Sequence, residues 1–247
     1  MKIFNYTLLT VLIFLVACTK SETDVVGDIT LLVSTNVRGQ LDPCGWKKNP
    51  LGGLSRKSTY VKQLNSEGKN VVILDAGDLL FNNSVLVDIQ SEADKLRAQT
   101  VIKGYEKIGC DVVNVGGFDM AAGIDYLQLI VDSTEIPFIS ANIIDSKTKQ
   151  HLFPPHHIIE NAGISIGVIG LTNLIPSHVR TVKLEDFISV GKAQIAELRK
   201  KVDIVVVLAN VNRDKNKLMN EEFIDADYVF LSRNPMRTRS GTEQPLN

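Results

Sequence analysis

Short, almost wholly apolar runs alternate with longer amphipathic stretches along this chain. Ile29 to Val33 (ITLLV), Val71 to Leu74 (VVIL), Val112 to Val115, Phe138 to Ala141, Ile164 to Leu171 (ISIGVIGL), Ile204 to Leu208 (IVVVL) and Tyr228 to Leu231 (YVFL) read as strands. Between them, Ser55 to Asn65 carries Tyr60, Val61 and Leu64 at helical spacing. Ala93 to Ile108 places Leu96, Val101, Ile102 and Tyr105 on one stripe, and Tyr126 to Val131 and Val190 to Lys201 read as further helices. Strands apolar on both faces and separated by helices predict an α/β sheet covered on both sides. Ligands of such sheets bind in the loops beyond the strand ends.

The polar and glycine-rich residues fall in those loops. Ser34-Thr35-Asn36-Val37-Arg38-Gly39 follows the first run, Asp75-Ala76-Gly77-Asp78 the second, and Gly116-Gly117-Phe118-Asp119 the third. Ala209-Asn210 follows IVVVL, and Ser232-Arg233-Asn234-Pro235 follows the last run. Five such tips either converge on one site or are ordinary turns, because Gly, Asn, Asp and Ser favour turns for local backbone reasons.

The N-terminus adds a location. Leu8 to Val16 is an apolar run too short to span a bilayer, preceded by Lys2. It ends in Leu15-Val16-Ala17-Cys18, which resembles a bacterial lipobox; lipid on Cys18 would anchor the chain to the membrane at the periplasmic or extracellular face of the envelope. An ordinary signal peptide with a chance cysteine is the alternative. The expected organisation is a leader over 1–18, a polar tether over 19–28, one domain over 29–235 and a tail over 236–247. A formal net charge of −1 argues against a nucleic-acid surface. Cys44 and Cys110 are either a disulfide, which an exported compartment permits, or free buried thiols.

Taken in order, the motifs are similar to those of one family. Ser34 to Gly39 matches T-N-D-x-H-G, Gly52-Gly53-Leu54-Ser55-Arg56 matches G-G-L-x-R, and Leu74 to Asp78 is L-D-A-G-D. Val115 to Asp119 aligns with G-N-H-E-F-D, and Ser140-Ala141-Asn142 and Ile166 to Thr172 (IGVIGLT) follow. The set resembles the N-terminal domain of the 5′-nucleotidase-type (UshA-like) calcineurin-like metallophosphoesterases. The Asp42-Pro43-Cys44-Gly45 turn resembles lipoprotein-type members, with Trp46 in place of their second cysteine. The resemblance implies layered mixed β-sheets flanked by helices (α/β/β/α).

It also implies two divalent metals, which polarise a phosphoryl oxygen and activate a bridging water. Carried over residue by residue, the family's metal-binding Asp of the first tip is Asn36 and its His is Arg38. The bridging Asp is kept as Asp78. The third tip's Asn is Gly117 and its catalytic His is Phe118. Later metal-binding histidines fall on Asn210, Arg233 and Pro235. Asn36 and Asn210 retain a carbonyl oxygen, whereas Arg38 and Arg233 offer only donors and stay charged.

The expectation is therefore a family member with no catalytic residue and no cofactor, its dinuclear site largely lost. Three outcomes stay open. Arg38 and Arg233 around Asp78 bind a small anion such as phosphate, or Arg38 and Asp78 close the space as a salt bridge. The domain serves as an interaction module. Or Asp75, Asp78, Asp119 and the asparagines hold one hard cation and sustain weak phosphoester hydrolysis. His151, His156, His157 and His178 are expected to be loop histidines, the first three in a connecting loop.

Overall fold

The computed structural model of the protein describes residues 27–46 and 49–232. Cys18, Arg233, Pro235 and the tail lie outside them. Strands β1 (Ile29–Ser34), β4 (Asn70–Asp75), β5 (Val112–Asn114) and β6 (Phe138–Ile139) form a parallel sheet in the order β1-β4-β5-β6. A second sheet has the order β12-β11-β9-β8, from β8 (His156–Asn161), β9 (Ile164–Thr172), β11 (Ile204–Asn210) and β12 (Tyr228–Ser232). In it β9, β11 and β12 run parallel, and β8 is antiparallel to β9. Two short pairs complete the set: β2 (Cys44–Trp46) with β3 (Asn49–Leu51), and β7 (Ile143–Asp145) with β10 (Val182–Leu184).

Three apolar clusters define the layers. Val72, Leu74, Val112, Ile139, Ile166, Val168, Val206 and Leu208 pack the two sheets face to face. Helices α1 (Leu54–Ser66), α2 (Ser91–Ile108) and α3 (Ile124–Asp132) cover the outer face of the first sheet, through Val61, Ala98, Val101, Ile102, Tyr105 and Leu127. Helices α4 (Phe187–Leu198) and α5 (Asn216–Glu222) cover the second, through Ile195, Leu198 and Met219. The result is the expected α/β/β/α sandwich. Each fully buried Leu, Ile or Val contributes about 1.5–3 kcal/mol, so the sandwich interior rather than helix propensity holds the fold.

Several details differ from the sequence expectation. Tyr60 and Leu96 are 50% and 65% exposed, and Ala98 takes the core position on α2 instead. α4 begins at Phe187 rather than Val190, because Asp186 caps it by accepting from the Ser189 N–H at 2.8 Å. His156 and His157 do not lie in a connecting loop; they open edge strand β8. That segment alternates half-buried and exposed residues, the pattern of a strand open on one side. Cys110 is a buried free thiol, which decides against its pairing with Cys44. Among the described residues no helix is long and apolar enough to cross a membrane.

Candidate functional site

The tips that follow β1 and β4 are laced by backbone hydrogen bonds that continue the strand pairing. Asn36 N donates to Gly77 O at 3.1 Å, Arg38 N to Asp78 O at 2.9 Å and Gly39 N to Leu79 O at 2.8 Å. The lacing holds Asn36, Arg38 and Asp78 at φ 53°, 55° and 57°. The left-handed region costs an L-residue on the order of 1–2 kcal/mol, less for Asn and Asp, so Arg38 is the strained member.

The third tip is bound to the second through two carboxylates. Asp78 Oδ1 accepts from Phe118 N at 2.9 Å. Asp119 accepts from the N–H groups of Asp78 (3.1 Å), Leu80 (2.8 Å) and Gly116 (2.8 Å). Asp119 is fully buried, and burial with the nearby Asp78 pushes its pKa up to about 8, against the hydrogen bonds from Leu80 and Gly116. A Cβ on Gly116 would fall 2.3 Å from Asp78 N, so only glycine allows the two tips to approach this closely.

The second sheet joins through Asn210. Its Oδ1 accepts from Gly117 N at 3.0 Å, and its Nδ2 donates to Ser232 Oγ at 2.7 Å. Ser232 Oγ donates in turn to Ala76 O at 2.8 Å. All five strand ends named from the sequence therefore converge, and they are not independent turns. Asp78, Asp119, Asn210 and Ser232 are fully buried at this junction.

The substituted positions have contacts of their own. The Arg38 guanidinium lies 5.1 Å from the centroid of the Phe118 ring. Among the described residues Arg38 forms no ion pair, so the salt bridge to Asp78 considered from the sequence is not made. At Gly117 a Cβ would meet Leu174, 2.5 Å from Cδ2 and 2.8 Å from Cβ. Asn36 sits half-buried at the first tip, its Nδ2 donating to Thr35 Oγ1 at 3.1 Å. The histidines lie elsewhere. His156 Nδ1 is 2.7 Å from Gln194 Oε1, His178 Nε2 donates to Ala121 O at 3.1 Å, and His151 is 3.9 Å from Glu185. Among the described residues no three His, Cys, Asp or Glu side chains cluster as a metal site would need.

Beside β1 lies a charged group that motif reading missed. Lys57 Nζ donates to Ser34 Oγ at 2.7 Å and sits 3.9 Å from the Tyr105 ring centroid. Tyr105 OH donates to Asp75 Oδ2 at 2.8 Å, and Asp75 Oδ1 accepts from Gly77 N at 3.0 Å. Burial lowers the Lys57 pKa, against the pull of Asp75. Burial pushes Asp75 up to about 6, against Lys57 and these hydrogen bonds. The available signal was Lys57, immediately after the G-G-L-x-R block and one helical turn inside α1.

Comparison with known proteins agrees with this architecture. No family model matches the chain. A 5′-nucleotidase of Vibrio cholerae is 29% identical over 209 residues, covering 79% of this chain and 36% of that protein. A 2′,3′-cyclic-nucleotide 2′-phosphodiesterase/3′-nucleotidase of Salmonella typhimurium is 31% identical over 180 residues, 64% of this chain and 27% of that protein. The crystal structure of a 5′-nucleotidase precursor from Thermus thermophilus superposes with a TM-score of 0.68 at 20% identity, covering 83% of this chain and 41% of that one. The chain is thus similar in sequence to 5′-nucleotidase-type metallophosphoesterases over most of its length and shares their fold. It spans roughly a third of the length of the curated family members it matches.

Proposed function

We propose that this chain is an envelope-anchored member of the family, lipidated at Cys18, whose dinuclear site is lost and whose domain binds an anion or a partner without catalysis. The observation that carries this is the stacking of Arg38 on Phe118. These are the positions where the resemblance implies a metal-binding and a catalytic histidine. A guanidinium stays protonated and donates only, so it opposes a dication and cannot ligate one. The remaining groups do not fit a metal pair either. Gly117 has no side chain, and Leu174 fills the space one would need. Asn210 already uses its carbonyl oxygen on Gly117 and its amide nitrogen on Ser232. Asp78 Oδ1 is engaged by Phe118 N. No step through a metal is derived for this chain.

The test is metal analysis of the purified full chain after incubation with zinc or manganese, together with a panel of nucleotides and an aryl phosphate. Sub-stoichiometric metal and no turnover are expected. Two ions per chain with hydrolysis would establish the alternative, an active or weakly active metal-dependent nucleotide hydrolase. The anchor is tested separately: incorporation of labelled fatty acid should vanish in Cys18→Ser, and persistence of the label would refute lipidation there.

A further inference from the structure

A second opening lies beside the first of the converging tips. It is a cleft of roughly 760 Å³ between the tip of β1 and the first turns of α1, a volume suited to a small-molecule ligand. Neither Asp78 nor Asn210 lines it. Its walls carry Arg38, Arg56 and Lys57 beside Leu32, Leu54 and Tyr60, and among the described residues no carboxylate lines it. Asp75 accepts from the Tyr105 hydroxyl and is not among the lining residues.

Two features suit an acceptor with negative charge. The Nε of Arg38 is buried with no hydrogen-bond partner among the described residues. A buried donor left unpaired is unfavourable, and a ligand oxygen would relieve it. Lys57 is held in place by Ser34 and the face of Tyr105 rather than by a carboxylate. Its charge is thus presented to the cleft from a fixed position, with Arg56 and half-exposed Tyr60 on the rim. The apolar wall excludes bare phosphate as the natural occupant, because Leu32, Leu54 and Tyr60 would then stay wet.

We propose that this cleft binds an amphipathic anion: a carboxylate or phosphonate-like head between Arg38, Arg56 and Lys57, with an aryl or alkyl body against Leu32, Leu54 and Tyr60. This rests on the anion-binding reading above and moves the site from the strand tips to the flank of β1. The test is calorimetry of the full chain with phenylphosphonate, which cannot be hydrolysed at its P–C bond, against inorganic phosphate and phenol. Phenylphosphonate should bind at least tenfold more tightly than either fragment. Arg56→Gln and Tyr60→Ala, both at exposed positions, should each weaken it about tenfold, and Lys57→Met more. Absence of binding at millimolar phenylphosphonate, equal affinity for inorganic phosphate, or indifference to both Arg56→Gln and Tyr60→Ala would overturn the proposal. Turnover of phenyl phosphate would instead overturn the non-catalytic reading, and it leaves the cleft standing wherever the two rim substitutions still weaken phenylphosphonate binding.

Discussion

The guanidinium of Arg38 and the ring of Phe118 lie 5.1 Å apart, from tips that follow different strands of the first sheet. Each residue alone is an odd choice at its position: a charge in left-handed backbone, and a half-buried aromatic in a polar junction. Together they satisfy each other, since a cation over a ring face gains about 0.5–1 kcal/mol at a part-exposed site. Arg38→Gln should therefore lower the melting temperature by roughly 2–4 °C. In Phe118→Leu the same change should cost less. A double-mutant cycle of thermal or denaturant unfolding measures the coupling, and strictly additive effects would show that the stack carries no energy.

Leu174 and Gly117 form a second coupled pair. The Leu174 side chain stands where a Cβ on residue 117 would point, with atoms at 2.5 and 2.8 Å. Gly117→Asn should therefore destabilise by about 1–3 kcal/mol, as overpacking does. Adding Leu174→Ala should recover part of that loss even though Leu174→Ala alone removes packing. Unfolding free energies of the two single variants and the double variant decide it; a double variant no better than Gly117→Asn would mean that the clash is elsewhere.

The sandwich and the five converging tips were legible in the sequence for physical reasons. Strands such as IVVVL are buried on both faces, so their composition alone identifies them, and turn residues must follow where each one ends. What was not legible depends on side-chain direction across loops. Arg38 and Asp78 share a junction, yet Arg38 turns to Phe118, because the ring offers contact without the desolvation that a buried ion pair demands. Leu174 sits past the IGLT strand and carries no motif signal, yet it decides what residue 117 can be. β8 was hidden because an edge strand with two histidines has neither a continuous apolar run nor clean alternation.

Asp119 should be the most costly single residue of the junction to truncate. It accepts the backbone N–H groups of Asp78, Leu80 and Gly116. Asp119→Ala strands these buried donors, at about 1–3 kcal/mol each before relaxation, so a total of roughly 3–5 kcal/mol is expected. Asp119→Asn keeps one accepting oxygen and should fall between. Urea unfolding measures both; an alanine variant within about 1 kcal/mol of the parent would mean that water replaces the carboxylate.

Cys110 should be inert in the folded protein. It is buried, and burial pushes its thiol pKa up to about 12, so almost no thiolate exists near neutral pH. Its sulfur donates weakly toward Ile73 O at 3.5 Å and Val112 O at 3.6 Å. Iodoacetamide labelling followed by peptide mapping should find Cys110 unmodified until denaturant is added. Rapid native labelling at that peptide would contradict the burial described.

Asp75 should make stability fall as pH rises. Its folded pKa is about 6, against an ordinary value of 3.8, because burial outweighs the attraction of Lys57 and the hydrogen bonds from Gly77 and Tyr105. A raised acid pKa means that the folded state holds the proton more tightly than the unfolded chain. The contribution is thus complete below about pH 4, declines as pH passes through about 6, and is gone above about 7. Its size is of the order of 2–3 kcal/mol. Asparagine can accept from Gly77 with its oxygen and donate to the Tyr105 hydroxyl with its nitrogen, so Asp75→Asn preserves the packing while removing the titration. Asp119, also raised, contributes its own slope and is common to both proteins. The difference in unfolding free energy between parent and Asp75→Asn should therefore shift in favour of the variant between pH 4 and pH 7 and stay level above. A difference that stays constant across that range would mean that Asp75 remains ionised in the fold, held so by Lys57.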